Sequence, residues 1–258
     1  MIRDKIDSFH LEDIKNEIHP SVFFKHANYD LFILRLPQLE ENKMVVKSNA
    51  FVITDETYYF YDKAKESFVD LKDIKGFYRF LDHNIDSTLK IILNYFNKIE
   101  AIEDKFYDGK LIKDFNQQWF GFKNDIVRTN RVLFKAVETI EDLISNYKKE
   151  DDYLERNFED IEEHIKRAYR NSGFLLEKLD ALYNFYITQN NEQMNHTIYI
   201  LTLLSGVFLP LNLLVGFFGM NTTSLPFTIG DGGTYKVISL LLSVAFITTL
   251  LTYFLKKR

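Results

Sequence analysis

Along the chain of 258 residues the spacing of hydrophobic positions changes character twice. Up to about residue 75 the apolar residues come in short runs: Val22-Phe23-Phe24, Leu31-Phe32-Ile33-Leu34, Met44-Val45-Val46, Ala50-Phe51-Val52-Ile53 and Tyr58-Tyr59-Phe60-Tyr61. Asn, Asp and Pro bound these runs, so they predict four or five short strands, with a helix around Leu11 to Ile18 closing a small α/β cap over residues 1–75. Beyond it no Pro occurs between Pro37 and Pro210, and apolar residues recur at intervals of three and four. One helix is expected from Phe77 to Tyr107, with Ile85, Leu89, Ile92, Phe96, Ile99 and Phe106 on its apolar stripe. A second runs from Phe115 to Lys149 on Leu133, Val137, Ile140, Ile144 and Tyr147. After the polar turn 148–152 a third begins, with Leu154, Phe158, Ile161, Ile165, Ala168, Ser172, Leu175, Leu179, Leu182 and Tyr186 in a sustained seam. Residues 76–197 thus read as a long helical bundle and stalk.

From Gln193 to Gly230 there is no Asp, Glu, Lys or Arg. The stretch Ile198 to Phe218 would span about 31 Å as a helix, one bilayer crossing. A second apolar run from Val237 to Leu255 is followed by Lys256-Lys257-Arg258, so 198–258 reads as a two-helix transmembrane domain. The basic cluster belongs on the cytoplasmic side, and two crossings return the chain to the side it left. Both termini are therefore expected inside, in the cell (inner) membrane, with a short outer loop from Asn221 to Lys236. The charged N-terminal stretch Met1 to Ser8 lacks the apolar core of a secretory signal, which predicts a cytosolic location for the soluble part.

Composition narrows the function classes. The absence of Cys removes disulfide frameworks and cysteine-ligated metal sites. A net charge of −5 provides no basic footprint for phosphate neutralisation, which argues against nucleic-acid binding. No P-loop, nucleophile elbow, zinc-protease motif, kinase set or dinucleotide fingerprint occurs, so an enzyme has no support and no cofactor is implied. Trp119 offers no cofactor argument, and the 24 Phe and 15 Tyr mostly follow the packing stripes.

The first span carries the candidate chemistry. Stepping by three and four from Asn195 selects Ile198, Thr202, Ser205, Leu209, Asn212, Gly216 and Gly219, a face of small and polar residues. An amide such as Asn212 is unfavourable against lipid and needs another helix or a water-filled path, so self-association is expected. The same face serves equally for close helix packing, and Pro210 for a bend that neighbouring helices tolerate. His196, at the inner end of the span, fits either a protonation role or interfacial snorkelling. The run from Glu150 to Glu163, with eight acidic residues and one Arg, holds cations near an inner exit or is a solvated helix face.

After this face comes Gly216-Phe217-Phe218-Gly219-Met220-Asn221, with Phe208-Leu209-Pro210-Leu211 upstream and Pro226 downstream. A Gly-Met-Asn triplet at the outer end of the first of two C-terminal spans resembles the CorA family of divalent-cation transporters. The resemblance implies an α+β subunit of a funnel-shaped homopentamer whose first spans line one central pore. It places Asn195, Ile198, Leu201, Ser205, Leu209, Asn212 and Gly216 along the pore, where periodicity alone prefers Thr202 to Leu201. Gly219, Met220 and Asn221 would form the ion-recognition element at the outer mouth.

Such a pore suits Mg²⁺, which sheds water reluctantly: a ring of Asn221 amides can accept hydrogen bonds from the ion's waters without any protein atom ligating the metal directly. Carboxylates would bind more tightly and release less readily. Gly219 would free the backbone to turn. Ile198, Leu201 and Leu209 supply apolar constrictions able to close the path by dewetting. A potential of 100 mV contributes roughly 4.6 kcal/mol to inward movement of a divalent ion, so no nucleotide hydrolysis is required.

Two departures bear on the ion. Magnesium members often carry acidic residues after the triplet, whereas Thr222-Thr223-Ser224-Leu225-Pro226-Phe227 has none and is more similar to the zinc-transporting ZntB branch. The stalk stretch Tyr183 to Asn191 has amides where magnesium members place a sensing Asp. Zinc, cobalt or nickel transport, with or without proton coupling, is the first alternative. The second is a membrane-anchored coiled-coil interaction protein without transport.

Overall fold

The computed structural model describes residues 2–41, 43–108, 114–147, 152–220, 225–226 and 232–256, with side chains for all of these except 152–156 and 251–256. A 3₁₀ turn, Ile2–Lys5, precedes α1 (Ser8–Lys15). Five strands follow: β1 (Val22–Lys25), β2 (Asp30–Glu40), β3 (Lys43–Ile53), β4 (Tyr58–Asp62) and β5 (Ser67–Asp70). Then come α2 (Ile74–Tyr107), α3 (Phe115–Tyr147), α4 (Asp152–Phe218) and α5 (Gly233–Lys256). The fold is the expected α+β arrangement of a small sheet, long helices and a C-terminal apolar helix.

The strands form one antiparallel meander in the order β1-β2-β3-β4-β5. The runs at Met44 and Ala50 belong to a single strand, because Lys47, Ser48 and Asn49 between them continue the ladder opposite Leu36, Arg35 and Leu34. Pro37 sits inside β2, yet β1 reaches only as far as Ile33, so the missing N–H falls where the strand has become the sheet edge. β5 is additional to the apolar runs, since its Ser-Phe-Val-Asp sequence carries only two hydrophobic residues.

Alternation along the strands covers both faces. Leu31, Ile33, Ala50 and Val52 pack with Ile6, Ile14, Tyr29 and Tyr61 on the α1 side. Phe32 and Phe51 point the other way and meet Phe77 of α2 at ring distances of 5.9 and 5.2 Å, while Phe60 meets Phe80 at 4.4 Å with the rings tilted. Sheet burial on two sides explains why β2 reads as a continuous apolar run.

Two aspartates set helix starts. Asp7 accepts from the Phe9 N–H at 2.8 Å, placing α1 slightly before the Leu11–Ile18 expectation. Asp73 accepts from the Gly76 N–H at 2.8 Å and begins α2 ahead of Phe77. Gly76 is required by crowding, since a Cβ there would stand 2.0 Å from the Leu71 carbonyl oxygen.

The stalk seam of α4 is buried from Phe158 through Ile161, Ile165, Ala168, Ser172, Leu175 and Leu179 to Leu182. Ser172 is satisfied within it, accepting from Asn130 Nδ2 at 2.8 Å and donating to the Tyr169 carbonyl at 2.7 Å. Lys123 meets Asp180, and Lys178 meets Glu103, each at 2.6 Å. Trp119 stacks on Tyr183 at 4.4 Å and donates to the Leu179 carbonyl at 3.2 Å. The expected α2 stripe needs one correction: Phe96 is 40% exposed, and Tyr95, one position earlier, takes the inward place at 8%. Residues 1–183 and 184–258 form two compact units.

Candidate functional site

In the second unit, α4 and α5 each contain a stretch of at least 18 residues apolar enough to cross a membrane. None of that stretch in α4, and 6% in α5, is buried by the chain itself. Helices so apolar and so uncovered suit lipid and neighbouring subunits rather than water. Each still has one half-buried row. In α4 it is Tyr199, Leu203, Val207, Pro210, Leu211, Leu214 and Phe218; in α5 it is Val237, Leu241, Val244, Ala245 and Thr248.

The residues singled out from sequence lie elsewhere on α4. Asn195, Ile198, Leu201, Thr202, Ser205, Leu209, Asn212 and Gly216 are all exposed, with Leu209 at 71%. The row proposed to line a conduit is thus left open within its own unit. On an ideal helix Leu201 lies about 60° to one side of the row's midline and Thr202 about 40° to the other. The Thr202 hydroxyl donates to the Ile198 carbonyl at 2.8 Å, which ties it to its own helix.

Pro210 removes the helical donor to the Gly206 carbonyl. That carbonyl requires another partner inside a membrane. The helix ends at Phe218, with Gly219 N–H still bonded to the Val215 carbonyl at 2.8 Å and Met220 N–H to Phe217 at 3.3 Å. Gly219 serves here by allowing close approach rather than by adopting a left-handed turn: a Cβ would lie 3.0 Å from the Val215 oxygen, and positive φ among the described glycines is confined to Gly232. Gly219 and Met220 are both exposed, while Asn221 lies outside the described residues.

The first unit holds a feature that sequence spacing did not reveal. Asp82 of α2 and Asp160 and His164 of α4 present ligand atoms within 4.8 Å of one another, a set that could hold a metal ion. His164 Nε2 lies 3.5 Å from Asp160, its Nδ1 lies 3.9 Å from Asp86, and the Tyr78 hydroxyl donates to Asp160 at 3.4 Å. Burial first, then Asp86 and Asp160, raises the Asp82 carboxyl above its ordinary value. The i,i+4 pairs Asp82/Asp86 and Asp160/His164 were visible in the sequence, but only the packing of α2 on α4 brings them together.

A family model described as CorA-like Mg2+ transporter protein matches residues 5–258. The chain belongs to the CorA family. Its members are transporters and channels, not enzymes. The CorA magnesium transporter of Methanocaldococcus jannaschii matches with a TM-score of 0.82 at 18% identity, covering 97% of this chain and 84% of that one. The full-length CmaX protein matches at 0.70 and 16% identity, over 97% and 82%. A cytoplasmic domain of ZntB from Vibrio parahaemolyticus RIMD 2210633 matches at 0.53 and 14% identity, over 74% of this chain and 82% of that domain. By sequence, the candidate metal ion transporter YfjQ of Bacillus subtilis (strain 168) is 22% identical over 181 residues, 70% of this chain. That alignment spans 56% of YfjQ.

Proposed function

We propose that this CorA-family chain is one subunit of a homopentameric, potential-driven pore for a hydrated divalent cation, Mg²⁺ in the first instance, in the cell membrane with both termini cytoplasmic. The observation that carries the reading is the uncovered row of α4, small and polar from Asn195 to Gly216 and leading into Gly219-Met220-Asn221. Five copies around an axis would bury that row against water instead of lipid. Asn212, unfavourable against hydrocarbon, would then form a polar ring. The Gly206 carbonyl freed by Pro210 would gain water or a neighbouring helix as its partner.

In this reading Asn221 amides at the outer mouth accept hydrogen bonds from the waters of the ion, which keeps its inner shell. Ile198, Leu201 and Leu209 close the path when they approach, by excluding water. Leu201 and Thr202 flank the row on opposite sides, and in this reading both line the path, Thr202 with its hydroxyl donated to the Ile198 carbonyl. The protein has no resident cofactor in this account, and the ion is cargo. Zinc transport is the second reading, favoured by the lack of any acidic residue between Thr222 and Phe227.

Flux into liposomes separates these readings. Mg²⁺ uptake driven by an inside-negative potential and indifferent to a pH gradient supports the first. Zn²⁺ uptake that requires the pH gradient, with no Mg²⁺ uptake, supports the second.

A further inference from the structure

Three arginines line one cleft of the first unit. Arg35 comes from β2, and Arg128 and Arg131 lie one turn apart on α3; Asn124 and the apolar Val127 and Val132 complete a cavity of about 360 Å³. Arg35 stands just past Ile33, where β1 stops pairing and β2 becomes the sheet edge. Its backbone N–H is taken by the Ser21 hydroxyl at 2.9 Å, but its side-chain Nε is buried with no acceptor.

None of the three arginines takes part in an ion pair among the described residues, in a chain whose net charge is −5. Desolvation first, then the charge of Arg128, holds the Arg35 guanidinium below its ordinary value. Guanidinium groups offer only donors, in planar forks that match the oxygens of phosphate. Gathering three of them without a carboxylate is unfavourable until an acceptor-rich anion enters, and the cavity is of small-molecule size.

We propose that the Arg35–Arg128–Arg131 cleft binds a phosphate-bearing small anion. The cleft is separate from the conduction row, so this site stands or falls independently of the transport reading. The ligand is a free phosphate chain or the phosphate tail of a nucleotide, and both present the same oxygens to the arginines.

The test is calorimetric titration of the full-length protein in detergent with inorganic tripolyphosphate, magnesium-free ATP and adenosine. Saturable binding of tripolyphosphate and ATP at one equivalent per chain is expected, weakened about tenfold or more by Arg128→Gln or Arg131→Gln. Arg128→Lys should weaken it less, and Lys90→Gln, on α2, should leave it unchanged. Both α3 arginines are exposed, so their replacement spares the fold, and the melting of each variant followed by Trp119 fluorescence checks this. Equal affinity for the two anions assigns a free phosphate chain, whereas tighter ATP binding with competition by adenosine assigns a nucleotide. Failure of both anions to saturate overturns the proposal, as does binding that survives both Gln substitutions.

Discussion

Phe77→Ala tests how the sheet is joined to the long helices. Phe77 is 1% exposed, and its ring lies 5.2 Å from Phe51, 5.3 Å from Tyr58, 5.9 Å from Phe32 and 6.1 Å from Phe158. One side chain therefore touches the sheet and α4 at once. Burial loss and the cavity together put a core Phe→Ala change at about 3–5 kcal/mol. Phe32 and Phe51, at 0% and 1% exposure, are fixed by the ladder and cannot collapse into the gap, which places this site at about 4 kcal/mol. For a unit of this size that corresponds to a melting shift of about 8–16 °C. The assay is thermal unfolding of the purified full chain in detergent, followed by the fluorescence of Trp119, the only tryptophan. Phe96→Ala is the internal comparison: it is 40% exposed, and Lys178 Nζ lies 5.0 Å from its ring centre, a contact worth about 0.5–1 kcal/mol. Equal shifts for the two variants would refute the placement of α2.

Gly76→Ala should destabilise by about 1–3 kcal/mol or more, because its Cβ meets the Leu71 carbonyl, while Gly121→Ala, in open space on α3, should stabilise by up to about 1 kcal/mol; chemical denaturation of both compares them. The raised folded-state value of Asp82 means that its ionised form works against the native state. That penalty is absent below the unfolded value of 3.8 and appears as pH rises through the raised one. Asp82→Asn should therefore melt slightly higher than the parent at pH 7 and equally at pH 3, and a gain that persists at pH 3 would contradict the assignment. Thr202→Val should leave ion flux within about twofold, since its hydroxyl bonds within its helix, whereas Asn212→Leu should lower flux by about tenfold or more, read by a fluorescent indicator inside liposomes.

Much of this architecture can be read from spacing. The seam from Phe158 to Leu182 is legible because a helix buried on one face repeats every three or four residues, and the packing of α4 follows it position by position. Phe96 was not, since a stripe drawn through large residues cannot distinguish two adjacent aromatics; Tyr95 goes inward because its hydroxyl finds Asp125 at 2.7 Å. In sequence β3 divides into two apolar runs because its middle residues are polar, although ladder bonds do not depend on side chains. Gly219 was legible as a helix terminator, but its physical role is tight contact with Val215. The meeting of Asp82 with Asp160 and of Arg35 with Arg128 depends on residues distant in sequence, and no periodicity encodes it. The polar residues of the α4 span stand out in sequence because a membrane span carries few of them.

The most direct measurement is Mg²⁺ flux into potential-clamped liposomes carrying the parent chain or Asn221→Ala, with matched incorporation and intact oligomers. The account predicts potential-driven uptake by the parent and its loss in the variant. Unchanged uptake after Asn221→Ala, or none by the parent for any divalent ion, would contradict it.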